Sequence, residues 1–189
     1  MFLNIFFEEI KWIFIRKRLT KIKLLILDVD GVLTDGYLFY DYQGNQIKRF
    51  SVKDGLGIRY LQKFGLNICI VSGGKEDVIK NRAKDLNIKH IYCCVKNKKE
   101  KVEILRDEFK VNKENILYVG DDLNDLTVRK AVGLLIAPND ASKKLKKFCN
   151  AILKNNGGYG AVRELAERLL SGTRLLRSIE KEGFSELNS

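Results

Sequence analysis

Four short stretches of the chain carry the residue types that chemistry needs. Asp28-Val29-Asp30-Gly31 closes the apolar run Leu24–Leu27, and Ser72-Gly73-Gly74 follows a second apolar run ending at Val71. Lys96–Lys101 reads KNKKEK, and GDDLND (Gly120–Asp125) comes directly after Val119. In a parallel α/β sheet, ligands bind at the carboxyl edges of the strands. If these exits converge, Asp28, Asp30, Asp121, Asp122 and Asp125 crowd one small volume. Carboxylates gathered so closely repel and partly protonate at neutral pH unless a cation sits among them. Hard oxygen ligands with no Cys or His call for Mg²⁺. One carboxylate of the Asp28/Asp30 pair can then attack phosphorus while the other handles the leaving-group proton. Ser72 and the amides of Gly73 and Gly74 stand where a following helix begins, a natural phosphate cradle. A lysine from Lys96–Lys101 neutralises the remaining charge. The combination describes phosphoryl transfer through an aspartyl-phosphate. Taken singly, each stretch has a plainer reading: a turn, a capped helix start for GDDLND, a solvated helix face for the lysines. Their joint order is what points to catalysis.

Apolar runs that become strands must position these exits. Short apolar segments at 23–28, 67–71, 90–93, 115–119 and 133–137 read as strands, each followed by polar or glycine-rich residues. Helical patterns lie between them near 54–64, 75–86, 98–110, 122–131 and 141–148, with Gly65 as a C-terminal stop for the first. The alternation predicts an α/β fold, a Rossmann-like three-layer parallel sheet with helices on both faces. One departure stands out after the first strand. GYLFYDYQGNQIKRFSV (Gly36–Val52) alternates Tyr37/Phe39 and Ile47/Phe50 about Gln43-Gly44-Asn45, which predicts a β-hairpin projecting from the sheet's edge. The organisation expected is an N-terminal amphipathic helix over 1–20, one catalytic domain over 21–171, and a loosely ordered tail over 172–189 with few core residues.

Composition narrows the classes. A chain of 189 residues, 45% apolar, suits a single domain with a real core. Its net charge of +11 admits nucleic acid, an anionic surface or small anionic substrates, besides a lysine-rich surface that keeps the protein in solution. The lysines are spread over helical patterns without interleaved aromatics, which argues against nucleic acid. The four cysteines form no C-x-x-C pair, and Cys69 and Cys149 fall in apolar, strand-like runs. They read as small core residues of a cytoplasmic protein. The single His90 excludes a multi-histidine metal site. In residues 1–20 aromatics are mixed with Glu8, Glu9, Lys11, Arg16, Lys17 and Arg18. No apolar run there is long enough to span a bilayer, and the positive charge follows the apolar stretch where a signal peptide would lead with it. This helix is expected to pack on the domain or on a neighbouring subunit, with peripheral membrane contact as the alternative.

In this order, DVDGVLTDG (Asp28–Gly36), VSGG (Val71–Gly74), Lys98 and GDDLND resemble the haloacid dehalogenase (HAD) phosphatase superfamily over about residues 23–170. The hairpin in place of a large cap domain, FSVKDGLGIR (Phe50–Arg59) and NNGGYGAVREL (Asn155–Leu165) narrow the resemblance. They are similar to the capless branch containing 3-deoxy-D-manno-octulosonate 8-phosphate phosphatase, nonulosonate 9-phosphatases and the C-terminal domain of some sialic-acid cytidylyltransferases. The resemblance implies Asp28 as nucleophile and magnesium ligand, and Asp30 as general acid/base with its backbone carbonyl on the metal. It implies Asp121 as the other carboxylate ligand, Asp122 and Asp125 as support for the metal shell, and Ser72 and Lys98 as holders of the phosphoryl oxygens. Recognition of a phosphorylated sugar acid would fall to Ser51, Val52, Lys53, Asp54, Gly55, Arg59, Gly73 and Arg82, beside Asp30 and Lys98. Arg59 and Arg82 suit a substrate with both phosphate and carboxylate, though each also fits an ordinary helix surface. A homotetramer is implied, with hairpins and glycine-rich segments of neighbours closing each site. Two positions depart from the octulosonate pattern: Gly74 stands where that branch carries Arg, and Tyr159 where its tail reads Gly-Gly-Arg-Gly. Both remove a cation from near the sugar acid, and Lys75 lacks arginine's fork. The chemistry is untouched; the choice of sugar stays open to a nonulosonate. A non-catalytic tetramerisation module is a further alternative, against which the intact Asp28 and Asp30 argue.

Overall fold

The computed structural model describes residues 2–184. In chain order the elements are α1 (Phe2–Leu19), β1 (Leu24–Leu27), β2 (Phe39–Tyr40), β3 (Gln46–Ile47), α2 (Val52–Lys63), β4 (Asn67–Val71), α3 (Glu76–Asp85) and β5 (His90–Tyr92). They continue with α4 (Lys98–Glu108), β6 (Ile116–Val119), α5 (Leu123–Leu126), β7 (Leu134–Ala137), α6 (Lys143–Lys146), β8 (Ala151–Ile152), α7 (Ala161–Leu170) and α8 (Arg174–Glu182). Six strands form one parallel sheet in the order β5-β4-β1-β6-β7-β8. Because side chains alternate along a strand, the uninterrupted apolar run of β1 feeds two cores. Leu25 and Leu27 join Trp12, Ile58, Leu61, Val162 and Leu165 on one face, while Leu24 and Ile26 join Val102, Leu105 and Tyr118 on the other. This is the expected three-layer arrangement.

Topology sets the site. The chain runs from β1 out to β5, then returns to add β6 on the other side of β1. At that reversal the loops after β1 and β6 diverge and leave a crevice. Register is tight there: Leu27 lies opposite Ile70 and Val119, and the Asp28 amide donates to the Val119 carbonyl at 3.0 Å.

Several expectations need correction. The hairpin exists, turning through Asp41–Asn45 with Gly44 at φ +81° and the Asp41 carboxylate accepting from the Gln43 and Asn45 amides. It rises from the carboxyl end of central β1, not from a lateral edge, since β5 and β8 are the edge strands. The helix expected over 122–131 is α5 followed by a 3₁₀ turn at Thr127–Lys130, and that over 141–148 is the single turn α6. Cys149 lies between α6 and β8, outside any strand. β8 and α7 are additions; α7 starts from Gly160 at φ +98°, with no side chain capping it, which hides its start from a search for capping residues. After Leu170 the chain packs back on the body: Leu175, Leu176 and Ile179 of α8 lie against the core, and the Phe184 ring lies 4.8 Å from that of Tyr60. Residues 185–189 of the expected tail lie outside the described residues.

The N-terminal helix is part of the body. Trp12, Ile15 and Leu19 are buried, while Phe7, Ile13 and Phe14 face outward. The Trp12 indole N–H donates to the Ile152 carbonyl at 3.1 Å, and the Arg168 guanidinium lies 4.3 Å from the indole centroid. Arg168 is itself held by Glu9 at 2.8 Å and Glu164 at 2.9 Å. Trp12→Ala removes the wedge between α1, β8 and α7, and a chemical melt is expected to show a loss of about 3–5 kcal/mol. No change in the melt would mean that α1 contributes nothing to the body. Among the described residues no helix is long and apolar enough to cross a membrane.

Candidate active site

A cavity of about 490 Å³ opens where β1, β4 and β6 end. Asp28, Asp30, Ser72, Gly73, Lys98, Asp121 and Asp122 line it, together with Gly36, Gly74 and Asn124. Eight residues expected from four distant stretches, Gly74 of the predicted cradle included, thus meet in one place. At its floor the Lys98 ammonium bridges Asp28 Oδ2 at 2.8 Å and Asp125 Oδ1 at 2.7 Å, with both partners buried. Asp125 is completely enclosed. Its Oδ1 also accepts from the Tyr118 hydroxyl at 2.8 Å, and its Oδ2 accepts from the Asp121 amide at 2.9 Å and the Asp122 amide at 3.3 Å. With four donors on two oxygens, Asp125 is spent as the organiser of the loop that presents Asp121. Asp122 caps α5, accepting from the Leu123 amide at 2.8 Å. The plain helix-start reading of GDDLND is realised, in a segment whose Asp121, Asp122 and Asn124 also line the cavity.

Carboxylate oxygens of Asp28, Asp121 and Asp125 lie within 4.8 Å of one another. Burial, then the neighbouring charges of Asp28, Asp125 and Asp122, push Asp121 up to about 8, with Lys98 opposing. Burial first, then Asp125, also raises Asp28 against the pull of Lys98. Burial works against the charge on Lys98, but Asp28 and Asp125 outweigh it and its pKa rises. Three carboxylates thus share one ammonium, an excess of negative charge in a partly dry pocket made of oxygen donors. That fits a hard divalent cation.

Two glycines let the loops approach. A Cβ on Gly31 (φ +79°) would lie 2.1 Å from Asp121 Oδ2, and one on Gly157 would lie 1.9 Å from the Gly31 carbonyl oxygen. The glycine-rich segment after β8 therefore presses directly on the loop that carries Asp28 and Asp30. Ser72 is buried and its Oγ accepts from the Gly74 amide at 3.0 Å, leaving the hydroxyl hydrogen to donate.

The other expected residues lie apart from the cavity in the single chain. Ser51 caps α2 and accepts from the Asp54 amide at 3.3 Å, and Val52 and Lys53 are exposed on its first turn. Asp54 is buried and accepts from the Gly160 amide at 3.1 Å and the Arg163 amide at 2.9 Å, pinning the start of α7 to α2. Arg82 folds against that turn, donating to the Ser51 carbonyl at 3.0 Å; a Cβ on Gly55 would meet its Nη2 at 2.5 Å. Arg59 donates to the Asp85 carbonyl at 3.1 Å. Sequence reasoning missed Tyr118 and Lys48. Lys48 comes off the hairpin's return arm and grips both Asp30 oxygens, at 2.6 and 2.7 Å. A lysine among polar hairpin residues gives no sign of burial; only its position three residues before the Ser51 cap was a clue.

Comparison with known proteins agrees with this geometry. The model of the haloacid dehalogenase-like hydrolase family matches residues 49–133. The chain is 40% identical over 149 residues, 79% of either protein, to the 3-deoxy-D-manno-octulosonate 8-phosphate phosphatase of Escherichia coli K12. The crystal structure of that phosphatase from Moraxella catarrhalis, in complex with magnesium, phosphate and KDO, superposes with a TM-score of 0.81 at 31% identity, covering 88% of this chain and 94% of that one. The cobalt-bound enzyme from Haemophilus influenzae gives 0.78 at 38% identity, over 81% and 90% of the two chains. A parallel sheet with acidic exits at its switch point and relatives of this identity lead to one conclusion: the chain is a phosphomonoester hydrolase that belongs to the 3-deoxy-D-manno-octulosonate 8-phosphate phosphatase family of haloacid dehalogenase-like hydrolases.

Proposed function

We propose that the chain hydrolyses 3-deoxy-D-manno-octulosonate 8-phosphate to the free sugar acid and phosphate. The observation that carries this reading is the buried Asp28 carboxylate at the cavity floor, 2.8 Å from Lys98 and grouped with Asp121. Asp28 and Asp121 would hold Mg²⁺, with the Asp30 carbonyl as a third ligand and Asp125 behind them. Bound there, the ion neutralises phosphoryl charge and keeps the carboxylates ionised. Lys98 has three N–H donors and spends two on Asp28 and Asp125, so the third, with the Ser72 hydroxyl and the amides of Gly73 and Gly74, receives the phosphoryl oxygens. An Asp28 oxygen attacks phosphorus as the bond to the sugar oxygen breaks, and Asp30 gives that oxygen a proton. Water then attacks the aspartyl-phosphate, passing its proton to the Asp30 carboxylate. Asp28 is restored and phosphate leaves.

The sugar-acid end would be met by residues of the α2 turn, with Arg59 and Arg82 as the carboxylate-reading cations. In the single chain these lie outside the cavity, which suits completion of each site by neighbouring copies. The hairpin exposes Tyr37, Phe39, Tyr40, Tyr42 and Ile47, a surface suited to that assembly. Gly74 keeps a second reading in play, a nonulosonate 9-phosphate as substrate, since the arginine of the octulosonate pattern is missing beside Asp30.

A panel of phosphorylated octulosonates and nonulosonates assayed with Mg²⁺ decides between them. The 8-phosphate of the octulosonate is expected to give the highest kcat/KM. Preference for a 9-phosphate would transfer the assignment to nonulosonates, and inertness towards every member would sink the phosphatase reading.

A further inference from the structure

Lys48 is a buried cation whose placement the chemistry above does not use. Its side chain is 2% exposed, while that of its partner Asp30 is 37% exposed and open to the cavity. Burying an ammonium is costly, and a side chain of similar volume such as Met fills the space without that cost. What the lysine adds over such a side chain is its charge, and that charge is spent on Asp30. Among the described residues, the other hydrogen bond that the Asp30 side chain receives is a long one from the Thr34 hydroxyl, at 3.5 Å. Two short charge-assisted bonds to both oxygens fix the rotation of the carboxylate, which one neutral donor at the limit of range does not.

Lys48 is in turn held by its chain neighbours. Arg49 pairs with Asp35 at 2.6 Å, and Phe50 bridges to Thr34 in antiparallel register. Three consecutive residues of the hairpin's return arm thus grip three points of the loop that leaves β1. Space on the far side is kept by Gly74, whose added Cβ would lie 3.3 Å from Lys48 Nζ and 3.2 Å from Asp30 Oδ2. A side chain there would require the pair to give by a few tenths of an ångström.

We infer that Lys48 is a positioning residue for proton transfer: clamped by the hairpin arm, it aims the Asp30 carboxyl so that the proton taken from water at the end of one turnover is given to the oxygen of the leaving sugar in the next. The inference deepens the proposed phosphatase reaction and rests on it. It also couples the hairpin to the chemistry, because displacement of residues 48–50 moves the acid.

Leaving groups separate this role from a structural one. An alkoxide must receive a proton as it departs, whereas para-nitrophenolate departs without one. With Lys48→Met, single-turnover cleavage of the sugar-acid phosphate is expected to slow about 10- to 100-fold, a share of what general acid catalysis supplies, with KM within about 3-fold. The pre-steady-state burst of para-nitrophenolate, which precedes the attack of water that Asp30 also serves, is expected to stay within about 3-fold in rate, and Lys48→Arg is expected to regain most of the sugar-phosphate rate. Turnover of the aryl ester also reports a folded site; should the Met variant not fold, Lys48→Gln, which keeps a donor without the charge, carries the same comparison. Equal slowing of the aryl burst and of sugar-phosphate cleavage, or slowing of neither, overturns the inference while leaving the phosphatase reading intact. Wild-type failure on both substrates overturns the two together.

Discussion

Asp28→Asn is expected to abolish phosphate release while leaving the fold intact. The substitution keeps shape and replaces an oxygen nucleophile with an amide that does not form the aspartyl-phosphate. Loss of a covalent nucleophile is expected to cost more than about 10³-fold in kcat. Stability moves the other way. Asp28 is a buried carboxylate whose pKa burial and Asp125 push up, so its charge is a liability in the folded chain without metal. With Asn there, Lys98 still has Asp125 at 2.7 Å, and one repulsive partner of Asp121 is gone. In chelator the variant is therefore expected to melt at or above the wild-type temperature, and magnesium is expected to raise its melting point less than that of wild type. Wild-type turnover by purified Asp28→Asn would remove Asp28 from the reaction.

Lys98→Met has the opposite signature. It strips the single ammonium from Asp28 and Asp125, leaving two enclosed carboxylates unpaired. Breaking a buried pair on one side costs about 3–5 kcal/mol. For a chain of this size that is a drop of roughly 6–20 °C in melting temperature. The loss should shrink with falling pH, as protons take the place of the ammonium. Wild type without metal carries a weaker form of the same dependence. Folded Asp121 titrates at about 8 against an ordinary 3.8, so the folded state holds a proton that the unfolded chain gives up. Its contribution is fully present below about pH 4 and is lost as pH rises towards 8. Magnesium binds the ionised carboxylates and offsets that loss by mass action, about 2.7 kcal/mol at a hundred times its dissociation constant. Catalysis by Lys98→Met is expected to fall about 10²- to 10³-fold, the scale for removing a preorganised donor to developing negative charge. Melting curves at pH 5 and pH 8, with and without magnesium, read both effects. A variant that melts like wild type in chelator at pH 8 would show that Lys98 is not the ion that balances this pocket.

Much of this was legible in order and spacing. Leu24–Leu27 followed by two aspartates, Val71 followed by Ser-Gly-Gly, and Val119 followed by GDDLND were enough to identify strands with chemistry at their exits. A parallel sheet offers few ways to arrange such exits. The strand boundaries held to within a residue or two, most plainly at β1, β6 and β7, because a fully buried strand leaves an uninterrupted apolar run. Helices were less legible where they were short: α5 and α6 are single turns held by Asp122 and Ser142 caps, and a helical pattern in the sequence does not say how soon tertiary packing ends it. α8 was hidden because Leu175, Leu176 and Ile179 are too few to mark a helix until the body supplies a face for them.

What the sequence determined by itself is the set of groups that can do the work: two acidic clusters, a hydroxyl with glycine amides, and a lysine, each at the end of a buried strand. Only the tertiary structure decided how they divide the labour. Asp125 became the organiser of Asp121 because four donors converge on it, and Asp54 became the anchor of α7 because Gly160 and Arg163 turn their amides towards it. Lys48 entered the site because the hairpin folds back onto the loop after β1. The reason is common to all three. Donor and acceptor capacity is a property of a residue type and is written in the chain. Which capacity is spent, and on what, depends on partners distant in sequence that only the fold brings within 3 Å of one another.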